Sequence, residues 1–307
     1  MYPTRVASAL VAALLLVSAS SCSIKRMAAN SVANTLATGP DVFSSDEDPE
    51  LVRDAVPFGL KTMESLHQIV PKNEALLMAM ARGFTQYAYG FVQLDAEEIE
   101  PTNYARAVEL RERALKLYLR ARDYGLEGLE LKHRGITAQL ARAPDSAAAR
   151  LEKRDVPMVF WTAAAWGSAI SIGKDRAELL ADLGAVQALM ARGLALDEGF
   201  EGGSFHEAKI VLEALPAVMG GSVERAREHF RRAVELAKGM RAGPYVTLAQ
   251  SVSVMTQNRS EFEDLLQKAL AVDPNANPNL RLANLVVQRR ARALLQRGDE
   301  LFIEDKP

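Results

Sequence analysis

The chain has 307 residues, a formal net charge of −2 and a hydrophobic fraction of 49%. That length is ample for a large core, in one domain or two tightly joined ones. With 37 basic and 39 acidic residues and no polybasic run, the composition excludes a basic nucleic-acid-binding surface and strong charge-driven adhesion to anionic lipid.

The chain opens with Arg5 and a nearly all-apolar run from Val6 to Val17, followed by Ala19, Ser20, Ser21 and then Cys22. The run is too short to cross a bilayer and reads as a secretory signal. Cys22, the only cysteine, stands directly after small residues of the kind a signal peptidase accepts. This looks like a bacterial lipoprotein box, with Ala19 and Ser21 as departures from its commonest residues. Residues 1–21 are then the signal peptide and Cys22 the lipidated residue. With Cys22 acylated no thiol remains, which excludes disulfides and cysteine-based metal sites in an exported protein. No other apolar stretch is expected to reach membrane-spanning length.

Residues 22–48 read as a lipidated tether, helical in part over Ile24 to Leu36 and broken at Gly39-Pro40. Residues 49–307 read as a single helical domain. Asp48-Pro49 supplies an N-cap acid and a first-turn proline. Apolar residues then recur at helical spacing as Leu51, Ala55, Phe58, Met63, Leu66 and Ile69. Breaks are expected at Pro71, Pro101, Gly125, Pro144, Pro157, Gly173, Gly199, Gly202-Gly203, Gly220-Gly221, Gly239, Gly243-Pro244, Pro274 and Pro278. Ser260 with Glu263 has the form of a capping box. Hairpin signals and period-two alternation are missing, so the expected fold is all-α.

A repeat is visible within it. Ala114-Leu115-Lys116-Leu117, Gly193-Leu194-Ala195-Leu196, Ala233-Val234-Glu235-Leu236 and Ala269-Leu270-Ala271-Val272 share a small-apolar-x-apolar pattern near helix ends. The small residue advances by 79, 40 and 36 positions. The pattern reads as degenerate tetratricopeptide-type repeats with insertions, whose ordinary period is about 34 residues. Such an array either curves around a concave face or closes on itself, and the sequence alone leaves both open.

The search for chemistry is mostly negative. His67, His133, His206 and His229 form no metal-binding pair at helical spacing. No nucleophile elbow, P-loop or dinucleotide fingerprint is present. Gly220-Gly221-Ser222 reads as a tight turn capped by Ser222. These absences point to a protein that is not an enzyme and carries no cofactor or metal. Two aromatic clusters stand out. In Gly83 to Phe91, Phe84, Tyr87 and Phe91 share a face, while Gln86 and Tyr89 fall elsewhere and are candidates for lining a cavity. In Pro157 to Trp166, the spacing of five puts Trp161 and Trp166 about 140° apart, so they cannot meet the same neighbour. Core packing is the default reading of both clusters; the alternative puts one tryptophan in the core and the other at a pocket, its indole N–H in need of a partner. On the last helix Arg281, Asn284 and Gln288 form a polar stripe: a cavity lining, a subunit contact or a solvated face. The candidate ligand- or channel-lining residues are therefore Gln86, Tyr87, Tyr89, Trp161, Trp166, Asn284 and Gln288.

Taken in order, the lipoprotein start Cys22-Ser23-Ile24-Lys25-Arg26, Gly83-Phe84-Thr85-Gln86-Tyr87-Ala88, Arg122-Asp123-Tyr124-Gly125-Leu126, Phe160-Trp161-Thr162-Ala163, Leu196-Asp197-Glu198-Gly199, Met219-Gly220-Gly221 and Arg281-Leu282-Ala283-Asn284 resemble the TatT family across the mature chain. This is the T component associated with tripartite ATP-independent periplasmic (TRAP) transporters. The resemblance implies a periplasmic lipoprotein of tetratricopeptide-like repeats that associates with the solute-binding protein of a TRAP transporter. It also implies a homo-oligomer, a trimer being one form, with channels through its subunits and a small hydrophobic or amphipathic ligand. It brings no catalytic residues. Ser23 after the cysteine implies the outer membrane under the usual sorting rule. The alternative is an envelope scaffold with no ligand of its own.

Overall fold

The computed structural model describes residues 24–39 and 41–303. Cys22 and the signal-like segment lie outside the described residues. The chain is a succession of helices, with no β-strand among the described residues. Helix α1 covers 24–38, α2 Pro49–His67 and α3 Glu74–Tyr87. A π-helical turn over Ala88–Gln93 carries α3 into α4, Leu94–Ile99. Then come α5 (Tyr104–Lys132), the short α6 (Ile136–Arg142) and α7 (Pro144–Ala148), and α8 (Val156–Ile172). They are followed by α9 (Ala177–Leu180), α10 (Leu183–Leu196), α11 (Ser204–Glu213) and α12 (Val223–Leu236). The chain finishes with α13 (Gly243–Leu248), α14 (Arg259–Ala271), α15 (Arg281–Gln296) and α16 (Gly298–Leu301).

Most of the expected breaks fall between these helices, for the expected reasons. Asp48 caps α2 by accepting from the Glu50 and Leu51 amides at 3.0 and 3.1 Å, and Ser222 caps α12. Three expectations are corrected. Gly125 does not break the chain but sits inside α5, where a Cβ would come within 2.2 Å of Thr162 Oγ1. With Gly128 facing Met158 one turn on, it lets α5 and α8 approach closely. Asn258, not Ser260, caps α14, accepting from the Glu261 amide. On α2 the buried positions are Val52, Leu60 and His67, whereas Leu51 and Phe58 face outward. Residues 177–196 also pass the length and composition test for a membrane span, contrary to expectation. The structure breaks them at Asp182, and Val186 and Leu189 pack in the core.

The four small residues of the sequence pattern, Ala114, Gly193, Ala233 and Ala269, are all buried. Gly193 shows why: a Cβ there would strike the Phe205 ring at 2.2 Å. The apolar side chains form two clusters. The larger runs from α1 to Phe205 and recruits Val286 from α15, while the smaller runs from Ile210 to Phe302.

The two ends of the helical succession meet. The Leu282 amide donates to Ser44 O at 3.0 Å, and Arg281 Nη1 donates to Ser45 O at 2.8 Å. Further along α15, Arg289 Nε donates to Glu98 Oε1 at 2.8 Å, and Arg290 Nη2 to Glu97 Oε1 at 2.6 Å. Arg297 donates to the Glu97 carbonyl at 3.2 Å. Gly90 in the π turn leaves room for Val286, 3.3 Å from where its Cβ would be. The last long helix thus closes on the acidic edge of α4.

Arg290 is 5% exposed and Glu97 half-buried, so truncating Arg290 removes a buried guanidinium and leaves the Glu97 carboxylate without its cation. Arg290→Ala is expected to cost about 3 kcal/mol in urea unfolding, whereas Arg106→Ala, at an exposed pair with Glu109, should change stability by less than about 0.5 kcal/mol.

Candidate functional site

One group of polar side chains lies where α15 meets α4, while other buried ones, His133 with Asp155 at 2.8 Å among them, lie elsewhere. At the α4–α15 seam Tyr118 donates its hydroxyl to Gln93 Oε1 at 2.7 Å. Gln93 Nε2 donates to Glu97 Oε1 at 2.9 Å, and the same oxygen accepts from Arg290. The Arg290 guanidinium lies 4.9 Å from the Tyr89 ring centroid. Burial penalises the charge on Arg290, but the Glu97 carboxylate overrides this and holds its pKa above the usual range. Burial raises the pKa of both Tyr89 and Tyr118. The π turn is what aims Tyr89 inward, since it shifts the register between α3 and α4.

The line continues through Glu207 on α11, whose charge acts on Tyr89. Glu207 pairs with Arg241 at 2.9 Å and presses on the backbone of Gly243, where a Cβ would fall 2.2 Å from its carboxylate. Arg241 in turn donates to Ser204 Oγ at 2.6 Å and to the Glu201 carbonyl. Glu201 is held in the left-handed region at φ 44°, the first of three successive positive-φ residues with Gly202 and Gly203. Its side chain reaches solvent, yet desolvation raises its pKa against the pull of Arg82 and Arg241. Trp161, 8% exposed, makes no hydrogen bond through Nε1 within normal geometry. Its indole is close enough to Glu201 to draw that pKa downward. Phe160, Phe200 and Phe205 pack as a ring cluster with Trp161, Phe160 meeting it edge-on at 5.1 Å.

Three of the candidate residues from the sequence lie along these contacts. Trp161 is buried in the larger apolar cluster beside Glu201, and Tyr89 packs against Arg290 at the seam. Gln86 is exposed and accepts from Arg82 Nε at 3.4 Å, and Arg82 pairs with Asp41. The other four are placed elsewhere. Tyr87 is buried against Phe91 and accepts from Arg113 at 3.4 Å. Trp166 donates to Asp182 Oδ2 at 3.0 Å, under the guanidinium of Arg122. The Asn284 amide accepts from the Ala242 N–H and donates to Met240 O. Gln288 Nε2 donates to the carbonyls at the end of α14, Ala269 O and Val272 O among them. Both α15 amides thus tie neighbouring helix ends.

A second polar cluster lies between α11 and α12, and no sequence signal links its members. His206 Nδ1 and His229 Nδ1 are 2.8 Å apart, and His206 Nε2 faces Glu198 Oε1 at 3.1 Å. Arg232 grips Glu198 with two bonds of 2.7 and 2.8 Å. Burial, with His206 as a second charge nearby, pushes the His229 pKa down to about 4. Burial also lowers that of His206, against the pull of Glu198. Among the described residues, no three histidine, cysteine or carboxylate groups converge on a metal-sized site.

The described residues form an all-α chain whose last long helix closes on α4. The chain belongs to the TRAP transporter T-component family, whose model matches residues 45–302. It is also 27% identical over 302 residues to an uncharacterized protein of Treponema pallidum (strain Nichols), covering 92% of this chain and 94% of that one.

The histidine pair sets a pH dependence. The folded-state value of His229, about 4, lies below the ordinary 6.5, so the unfolded chain takes up the proton first. Stability is full above the unfolded value and falls as pH drops toward the folded one. Urea midpoints measured from pH 7.5 down to pH 5 should decline, and His229→Gln should flatten the decline.

Proposed function

We propose that this protein is a lipid-anchored envelope component that docks the solute-binding protein of a TRAP-type transporter and binds or passes a small hydrophobic or amphipathic ligand. Membership in the T-component family over residues 45–302 is the observation that carries this reading. The signal-like start and Cys22 support export and anchoring, with the body facing the periplasm from the outer membrane. The small-residue pattern supports degenerate repeats of tetratricopeptide type, and a homo-oligomer fits the same reading.

The ligand part rests on Trp161 and its neighbours. Trp161 keeps an indole N–H with no protein acceptor in normal geometry, beside Glu201 and among Phe160, Phe200 and Phe205. Such a donor among aromatic rings suits a ligand with an apolar body and one polar end. A second reading, a ligand-free scaffold, is favoured by the burial of Trp161 in the larger apolar cluster.

Affinity purification from detergent-solubilised membranes tests the docking. A periplasmic solute-binding protein should co-elute at near-stoichiometric yield. Recovery of cell-wall enzymes or outer-membrane assembly factors in its place contradicts the reading. Cys22→Ala should shift the protein from the membrane to the soluble periplasmic fraction, and retention in the membrane would refute the anchor.

A further inference from the structure

The segment after Cys22 is helical where the sequence suggests, and the helix packs on the body. Residues 24–38 form a helix with Ala29 and Ala33 pressed into the larger apolar cluster, Ala33 with no exposure at all. Asn73, the N-cap of α3, donates to Asn30 Oδ1 and Asn34 Oδ1 at 2.9 and 2.8 Å, which fixes the rotation of α1 about its axis. The small residues bring the helix close, and the amides hold it.

One stripe of the outer surface is apolar. Ile24, Ala28, Val32 and Leu36 follow one another at intervals of four and span an arc of about 120°. All four are exposed, Ile24 by 62% and Val32 by 50%. A helix that buries alanines and exposes isoleucine, valine and leucine is inverted for a protein in water, where the larger side chains gain most from burial. Something apolar therefore covers this stripe. Ile24 is only two residues from Cys22, and Lys25 and Arg26 sit at the same end, suited to anionic headgroups.

We infer that α1 is an interfacial helix whose Ile24–Ala28–Val32–Leu36 stripe lies in the lipid surface and fixes the orientation of the body on the membrane. The inference rests on the lipid anchor at Cys22. One short stripe is too small to retain the protein alone; the acyl chains supply retention and the helix supplies orientation. Because α1 is bonded to the N-cap of α3, the body is then held at a set angle to the membrane.

With Cys22 acylated, any introduced cysteine is the only free thiol in the chain. Spin labels are placed on the full lipoprotein at Ala28→Cys and Val32→Cys, and at Val218→Cys, where the native side chain is 95% exposed. Each variant is reconstituted in vesicles of phosphatidylethanolamine with a minority of phosphatidylglycerol. Labels at 28 and 32 should be several-fold more accessible to oxygen than to an aqueous nickel complex, with the preference reversed at 218. If labels at 28 and 32 behave like 218 while the protein floats with the vesicles, the anchor stands and the inference falls. Spin–spin broadening at 28 or 32 would mean that a second copy covers the stripe, which also overturns it. Failure of the acylation-competent protein to float removes the anchor reading and the inference together.

Discussion

The contact on which the rest of the molecule depends is the closure of α15 onto α4. A succession of helices held only by its neighbours would leave both ends free and its inner face open. Here Arg289, Arg290 and Arg297 reach back across about two hundred residues to Asp95, Glu97, Glu98 and Glu100. Arg290 makes this more than a surface ladder. It is buried, and it binds one carboxylate while stacking on Tyr89. A buried pair is weak evidence for stability when compared with an apolar replacement, but it demands one geometry. Only a chain whose ends meet in register can satisfy Glu97 and Arg290 together.

Closure brings polar side chains of distant helices into contact. The larger apolar cluster belongs to the first two-thirds of the chain and the smaller to the last third. At the seam Tyr118, Gln93, Glu97 and Arg290 are linked by hydrogen bonds, with Arg290 Nε left unpartnered. Trp161 Nε1 likewise has no partner within normal geometry, next to Glu201. The left-handed residues Glu201, Gly202 and Gly203 turn the chain sharply before α11. Local backbone strain of this kind concentrates at functional positions.

Much of this was legible in the sequence, because helix periodicity, caps and breakers are local. Asp48, Ser222 and the proline and glycine breaks did what their chemistry requires. The errors came from packing across the fold. Gly125 reads as a breaker, yet it exists to admit Thr162. Leu51 and Phe58 read as core by spacing, yet α2 turns that stripe outward. The site was partly legible for the same reason. Trp161 and Tyr89 stood out because aromatic groups with polar ends are conspicuous beside one another. Glu201, Arg241 and the His206–His229 pair were invisible, since each acquires its role from partners far away in the chain. Asn284 and Gln288 were seen as a polar stripe correctly, but their partners are backbone carbonyls and amides that no sequence pattern displays.

We propose that the closed body binds a small ligand beside Trp161, whose indole N–H has no protein acceptor in normal geometry. Native mass spectrometry of the gently purified protein addresses it most directly, with the wild type compared against a folded Trp161→Leu variant. A discrete small-molecule adduct on the wild type, lost from the variant, is the result predicted. An adduct-free wild type, or one retained equally by both proteins, would contradict the claim.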